Sequence, residues 1–248
     1  ASGILRGSHL SAWSVDWHLA DQIYSALSSS QEVPKSIRDT RTYKHITALS
    51  YPLFRGLRPE ALMTMSVGFD PDSDSLIFPL LNFEGELVGV SRRRPKPNES
   101  YYISGSPYPK NHARYVYRRV PKGDCLWGWY ELRDRIAAGE DIIVVEGYAD
   151  QLNLLGYGYC AVAKLGSKLT AAQVRVLSSV SNRIYLWPDK DRAGIQGAAE
   201  DATRLLCLPN ARAVVPVCSD PADTPRDLAT KAIQESINCA EYLSAVPN

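Results

Sequence analysis

From Ile142 onward, short apolar runs and helical stretches alternate along the chain, and this alternation limits the possible fold more than any other feature of the sequence. Residues 142–145, 159–163, 183–187 and 211–217 have the length and the β-branched or aromatic content of strands. Residues 149–155, 171–177, 193–206 and 225–243 carry apolar side chains at helical spacing. Apolar strands separated by helices predict a parallel sheet covered on both faces, an α/β architecture. In such sheets ligands gather beyond the carboxyl ends of the strands.

Acids stand at those ends. The first strand stops at Glu146-Gly147, with Asp150 one helical turn further; the third ends on Pro188 and then Asp189-Lys190-Asp191; the fourth runs out near Asp220 and Asp223. Taken singly, an acid after a strand is an ordinary helix N-cap. Several carboxylates on one sheet edge are a different matter, because they repel one another and raise each other's pKa unless a multiply charged cation lies between them. An all-oxygen donor set without His or Cys suits Mg²⁺ or Mn²⁺, which bind through a few carboxylates and substrate phosphates. That chemistry points to phosphoryl transfer.

Upstream, residues 1–42 are polar and irregular and read as a lead-in, in which Trp13, Trp17, Ile23 and Leu27 offer one short amphipathic helix. Residues 43–138 predict a smaller α+β subdomain: a helix up to Leu53, a second through Met65, and strands over 76–81 and 86–92 joined at Asn82-Phe83-Glu84-Gly85. A Pro- and Tyr-rich stretch over 95–122 lacks periodicity and reads as irregular surface, followed by a helix over 126–138. The net charge of +1 argues against indiscriminate coating of duplex DNA, yet the region from Arg92 to Lys122 is basic and opposed only by Glu99. Arg92, Arg93, Arg94 and Lys122 suit phosphates, and Tyr101, Tyr102, Tyr108, Tyr115 and Tyr117 either stack on unpaired bases or pack inward.

Some function classes lose support. Cys125, Cys160, Cys207, Cys218 and Cys239 are scattered and predict reduced core thiols, and His9, His18, His45 and His112 are isolated, so no zinc site has the required spacing. No run approaches the length of a membrane span and the N-terminus lacks a signal-peptide layout, which predicts a cytoplasmic protein.

Val145-Glu146-Gly147-Tyr148-Ala149-Asp150, the block from Ala163 to Thr170, and Asp189-Lys190-Asp191-Arg192-Ala193-Gly194, in that order, resemble the Toprim domain of DnaG-type primases. The similarity extends upstream, where Arg55-Gly56-Leu57 with Pro59-Glu60, Leu76-Ile77-Phe78-Pro79 with Gly89, and Lys122-Gly123 with Leu126-Trp127-Gly128-Trp129-Tyr130-Glu131 are similar to segments of the primase core. The resemblance covers roughly residues 43–243. It implies a Toprim domain over 139–225 with a parallel sheet flanked by helices, preceded by the α+β subdomain and followed by a helical segment over 226–248. It also implies synthesis of short RNA primers on a single-stranded DNA template from nucleoside triphosphates, with a replicative helicase as a further partner.

By the same resemblance Glu146 is the catalytic acid, Asp189 and Asp191 are the metal-binding pair, and Asp150 is a second acid expected among the metal ligands. Asp220 or Asp223 completes a site for two Mg²⁺ or Mn²⁺ ions. Arg93 and Lys122 match basic residues of the groove for template and nucleotide, and Lys164, within the second block, is expected to bind nucleic acid or nucleotide as well. Lys190 stands where the family has a small residue and reaches either a triphosphate or solvent. No zinc module precedes the core and no helicase phosphate loop follows it, which suggests an excised core or a compact phage or plasmid version. Topoisomerases and nucleases of the overcoming-lysogenization-defect type share the acids but need a tyrosine-bearing body or an ATPase. A non-catalytic DNA-binding module usually brings a four-cysteine zinc site.

Overall fold

The structure is a computed structural model that describes residues 57–70, 75–93, 115–117 and 122–246. The lead-in helix, the helix expected before Leu53, the four histidines and Arg94 lie outside these residues.

The first layer begins with α1 (Pro59–Thr64), where proline takes a first-turn position whose missing N–H costs nothing. An antiparallel sheet follows, with β1 (Gly68–Asp70), β2 (Ser75–Leu81), β3 (Leu87–Arg93) and β4 (Tyr115–Tyr117) side by side in chain order. The β2–β3 connection forms as the sequence predicts. Asn82 Oδ1 accepts the backbone N–H groups of Glu84 and Glu86, and Gly85 adopts φ +91°, a left-handed conformation that suits glycine. β1 and β4 are not visible in the sequence pattern. β4 corrects the irregular reading of 95–122, since its three residues pair with Ser91, Arg92 and Arg93.

The helix expected over 126–138 shortens to α2 (Arg133–Ala137). The reason is local. Gly128 takes φ +96°, and Trp127 leaves the helical path to form an antiparallel bridge with Ala163. Its indole Nε1 donates to the Pro79 carbonyl at 2.8 Å, and its ring meets Phe78 and Tyr148 edge-on, while Phe78 and Tyr148 stack at 4.3 Å. One apolar core thereby runs from the antiparallel sheet into the second layer.

That second layer is the predicted alternation: β5 (Ile142–Val145), α3 (Tyr148–Gly156), β6 (Cys160–Ala163), α4 (Ala171–Ser178), β7 (Ile184–Leu186), α5 (Arg192–Arg204) and β8 (Ala211–Ala213). β6, β5, β7 and β8 are parallel neighbours in that order, and β5, β6 and β7 are buried throughout, as strands sandwiched between helices must be. β8 is shorter than expected because the chain turns outward after Val214, leaving Val215 and Val217 exposed. The C-terminal segment is not wholly helical. α6 (Arg226–Gln234) and α7 (Cys239–Ala245) are separated by β9 (Ile237–Asn238), which pairs antiparallel with β8 and extends the sheet.

The outward edge of β6 is already engaged, since the Ala161 carbonyl accepts from Gln151 Nε2 at 3.0 Å and Ala163 is bridged by Trp127. The cysteines are all free thiols, but only Cys125, Cys160 and Cys239 are buried; Cys207 is exposed and Cys218 half-buried. Among the described residues no helix is long and apolar enough to cross a membrane.

Candidate active site

Each acid owes its place to the end of a strand. β5 delivers Glu146, β7 delivers Asp189 and Asp191, and the loop after β8 delivers Asp220, so four acids meet at the carboxyl edge of the sheet. α5 starts immediately beside them. Asp191 is its N-cap, with Oδ1 accepting the Gly194 N–H at 2.7 Å. A side chain at 194 would not fit, because its Cβ would lie 2.5 Å from the Asp189 carbonyl oxygen and 3.0 Å from Glu146 Oε1. The glycine lets the helix start press against both acids.

Asp220 caps the short 3-10 turn Pro221–Asp223, where Oδ1 accepts the Asp223 N–H at 2.8 Å; Asp223 itself is exposed. Capping and cation binding are compatible, since each carboxylate has a second oxygen. Asp150 behaves differently from the ligand expected of it. It is buried, Oδ2 accepts the Gly147 N–H at 3.0 Å and Oδ1 accepts the Ala222 N–H at 3.1 Å, so it ties the start of α3 to the turn beside Asp220.

Burial raises the Asp189 carboxyl to about 7, reinforced by the charges of Glu146, Asp220 and Asp191. Glu146 is also raised, first by burial and then by Asp191 and Asp201, against the lowering charge of Lys164. Asp150 is raised well above the carboxylate range by burial and by the charges of Asp189 and Asp220. Glu146 Oε1 and Asp189 Oδ1 are buried and make no hydrogen bond. Two orphaned carboxylate oxygens in a cluster of like charge fit a divalent cation, whose charge would reverse the repulsion. Among the described residues no three Asp, Glu, His or Cys side chains form a group that could hold a metal ion. Mg²⁺ does not need one, since it keeps waters and substrate phosphates among its ligands.

The basic residues separate into distinct positions. Arg92 and Lys122 lie on β3 and on a 3-10 turn, whereas Arg93 is buried at the end of β3 and not displayed on the surface. Lys190 is exposed between the acids, with its backbone N–H donating to the Ser219 carbonyl at 2.7 Å and its ammonium 3.4 Å from the Val217 carbonyl. Lys164 is 5% exposed and its ammonium is bonded to Asp201 and to the Ser167 carbonyl, so it does not present a charge to solvent.

Sequence reasoning missed Asp201 and Gln173. Gln173 Nε2 donates to the carbonyls of Cys125 and Lys164. The capping pattern from Thr170 to Gln173 was its only visible signal, and for Asp201 it was a lone acid on the apolar face of α5.

Comparison with known proteins agrees with this geometry. Residues 143–224 match a family model described as Toprim-like. The chain is 35% identical over 133 residues to a DNA primase of Synechococcus elongatus, covering 52% of this chain and 18% of the relative. It is 25% identical over 239 residues to a DNA primase of Aquifex aeolicus, covering 81% of this chain and 46% of the relative. The chain therefore spans less than half the length of these relatives. Among solved structures, a DnaG primase catalytic domain bound to single-stranded DNA superposes with a TM-score of 0.65 at 19% identity, covering 92% of this chain and 81% of that one. The RNA polymerase domain of Mycobacterium tuberculosis primase DnaG superposes with a TM-score of 0.66 at 16% identity, covering 92% and 86%. Residues 143–224 are thus similar to a Toprim-like family, and the chain is similar in sequence to DNA primases and has the fold of solved DnaG primase catalytic domains.

Proposed function

We propose that this chain is a primase core that makes short RNA primers on single-stranded DNA by metal-dependent nucleotidyl transfer. The observation that carries this reading is the pair of buried, unbonded oxygens, Glu146 Oε1 and Asp189 Oδ1, at the sheet edge where α/β folds hold their ligands. Such a pair is costly until a cation satisfies it. Mg²⁺ or Mn²⁺, bound as one or two ions, supplies neutralisation of the charge that develops on the phosphoryl oxygens and activation of the attacking hydroxyl.

Glu146, Asp189 and Asp191 hold the cation, with Asp220 or Asp223 completing the set. Asp150 fixes the backbones of Gly147 and Ala222 and so positions the acids on either side. Lys190 is exposed beside these acids and suits the triphosphate of an incoming nucleotide as a point charge. Arg92 and Arg94 with Lys122 serve template phosphates from the basic segment, and Arg93 braces that surface from within. The DNA primases to which the chain is similar, and a domain of the same fold solved with single-stranded DNA, support template binding of this kind. A replicative helicase is a proposed further partner.

The test is incubation with single-stranded DNA, labelled nucleoside triphosphates and Mn²⁺. Wild type is expected to yield short RNA products, and Glu146→Gln to yield none while retaining single-stranded DNA binding. Strand cleavage without synthesis would overturn the reading in favour of a Toprim nuclease.

A further inference from the structure

The Lys164–Asp201 ion pair lies below the acidic site, with Nζ and Oδ2 2.7 Å apart and side chains 5% and 1% exposed. Desolvation of two buried charges offsets most of their attraction, so net stability over an apolar pair does not explain such a contact. Its bonds show what it holds. Lys164 Nζ also donates to the Ser167 carbonyl at 2.9 Å, and Asp201 Oδ1 accepts the Leu169 N–H at 2.6 Å. Gln173 Nε2 donates to the Lys164 carbonyl at 3.0 Å, and Arg204 donates to the Leu169 carbonyl at 2.5 Å.

Together these bonds close the turn after β6, in which Leu165 adopts φ +56°. A branched side chain occupies that left-handed region only when its surroundings impose it. The strained residue is in contact with the acids' own backbone, because the Leu165 N–H donates to the Glu146 carbonyl at 3.1 Å and the Lys164 N–H to the Val145 carbonyl at 3.0 Å. On the other side, Asp201 stands on α5, the helix that Asp191 begins.

We propose that the buried Lys164–Asp201 pair is a positioning device, which locks the helix started by Asp191 to the turn that holds Glu146 and so fixes the separation of two acids carried by different elements. Gly197 makes the same connection possible at close range, since any side chain there would run into the Ser167 carbonyl. The proposal rests on the reading of these acids as a cation site. Neither charge touches the reacting atoms, so the pair acts through Glu146 and Asp191.

The test compares wild type with the Lys164→Met/Asp201→Leu double variant, an apolar pair of similar bulk that the buried-ion-pair argument expects to fold. Mn²⁺ binding is read by calorimetry, with thermal unfolding, single-stranded DNA affinity and primer synthesis alongside. The double variant should unfold in one cooperative transition at a somewhat lower midpoint, since the Ser167 carbonyl and the Leu169 N–H lose their side-chain partners; DNA affinity should match wild type, Mn²⁺ affinity should fall about tenfold, and kcat should fall by a similar factor at unchanged nucleotide KM. A folded double variant with wild-type Mn²⁺ affinity overturns the proposal. Should the double variant fail to fold, Asp201→Glu keeps both charges and lengthens the link by one methylene: weakened Mn²⁺ binding at an unchanged unfolding midpoint supports the device, and wild-type affinity overturns it. Wild type that binds no Mn²⁺ overturns the cation-site reading itself, and with it the device.

Discussion

At Asp189, burial and the charges of Glu146, Asp220 and Asp191 all push in one direction, and the carboxyl rises to about 7. A carboxylic acid must lose its proton to bind a cation, so Mn²⁺ affinity should climb as pH increases from about 6 to about 8 and then level off, a trend calorimetry would show directly. Affinity independent of pH in that window would contradict the environment described for Asp189. Glu131 offers a second titration outside the site, with Oε1 buried and unbonded and the carboxyl raised to about 7 by burial. Because its folded value lies above the unfolded one, its contribution to stability is complete below the unfolded value near 4.5 and is lost as pH rises through about 7. Glu131→Gln should therefore raise the unfolding midpoint at about pH 8 by roughly 3 °C and change little at about pH 5. At this scale the acids were legible because four of them follow apolar strands. The partnership of Lys164 with Asp201 was not, since 37 positions separate them and nothing local marks the contact.

α5 shows how one helix can serve two tasks on two faces. Its N-terminus approaches the acids through Gly194, and Gly197, Asp201 and Arg204 grip the turn over 164–169. An alanine at 197 gains about 1 kcal/mol of helix propensity but meets a backbone oxygen that no rotamer change can move aside. Gly197→Ala should thus lose a net 1–2 kcal/mol or so, read as a lower denaturant midpoint at unchanged slope, while Gln196→Ala on the exposed side should be neutral. The longer elements were readable from periodicity. β1 and β4 are three residues each and β9 is two, too short for any alternation to register, and each exists because a longer neighbour offers it hydrogen bonds. The break in the helix expected over 126–138 comes from Trp127, whose bridge to Ala163 overrides local helical preference.

For the molecule as a whole, Trp127 is the joint between the two layers, bonded to Pro79 in the first and bridged to Ala163 in the second. Trp127→Ala should cost about 3–5 kcal/mol and lower the unfolding midpoint by on the order of 10 °C, measured by calorimetry. Two separate unfolding transitions in that variant would identify the tryptophan as the source of cooperativity between the layers. The same bridge has an effect at the margin of the central sheet. With Ala161 held by Gln151 and Ala163 by Trp127, β6 offers little free backbone, and the opposite margin ends in a β9 of two residues. Neither border can act as a template on which a neighbouring polypeptide adds strand after strand, so the central sheet is guarded against fibrillar self-association.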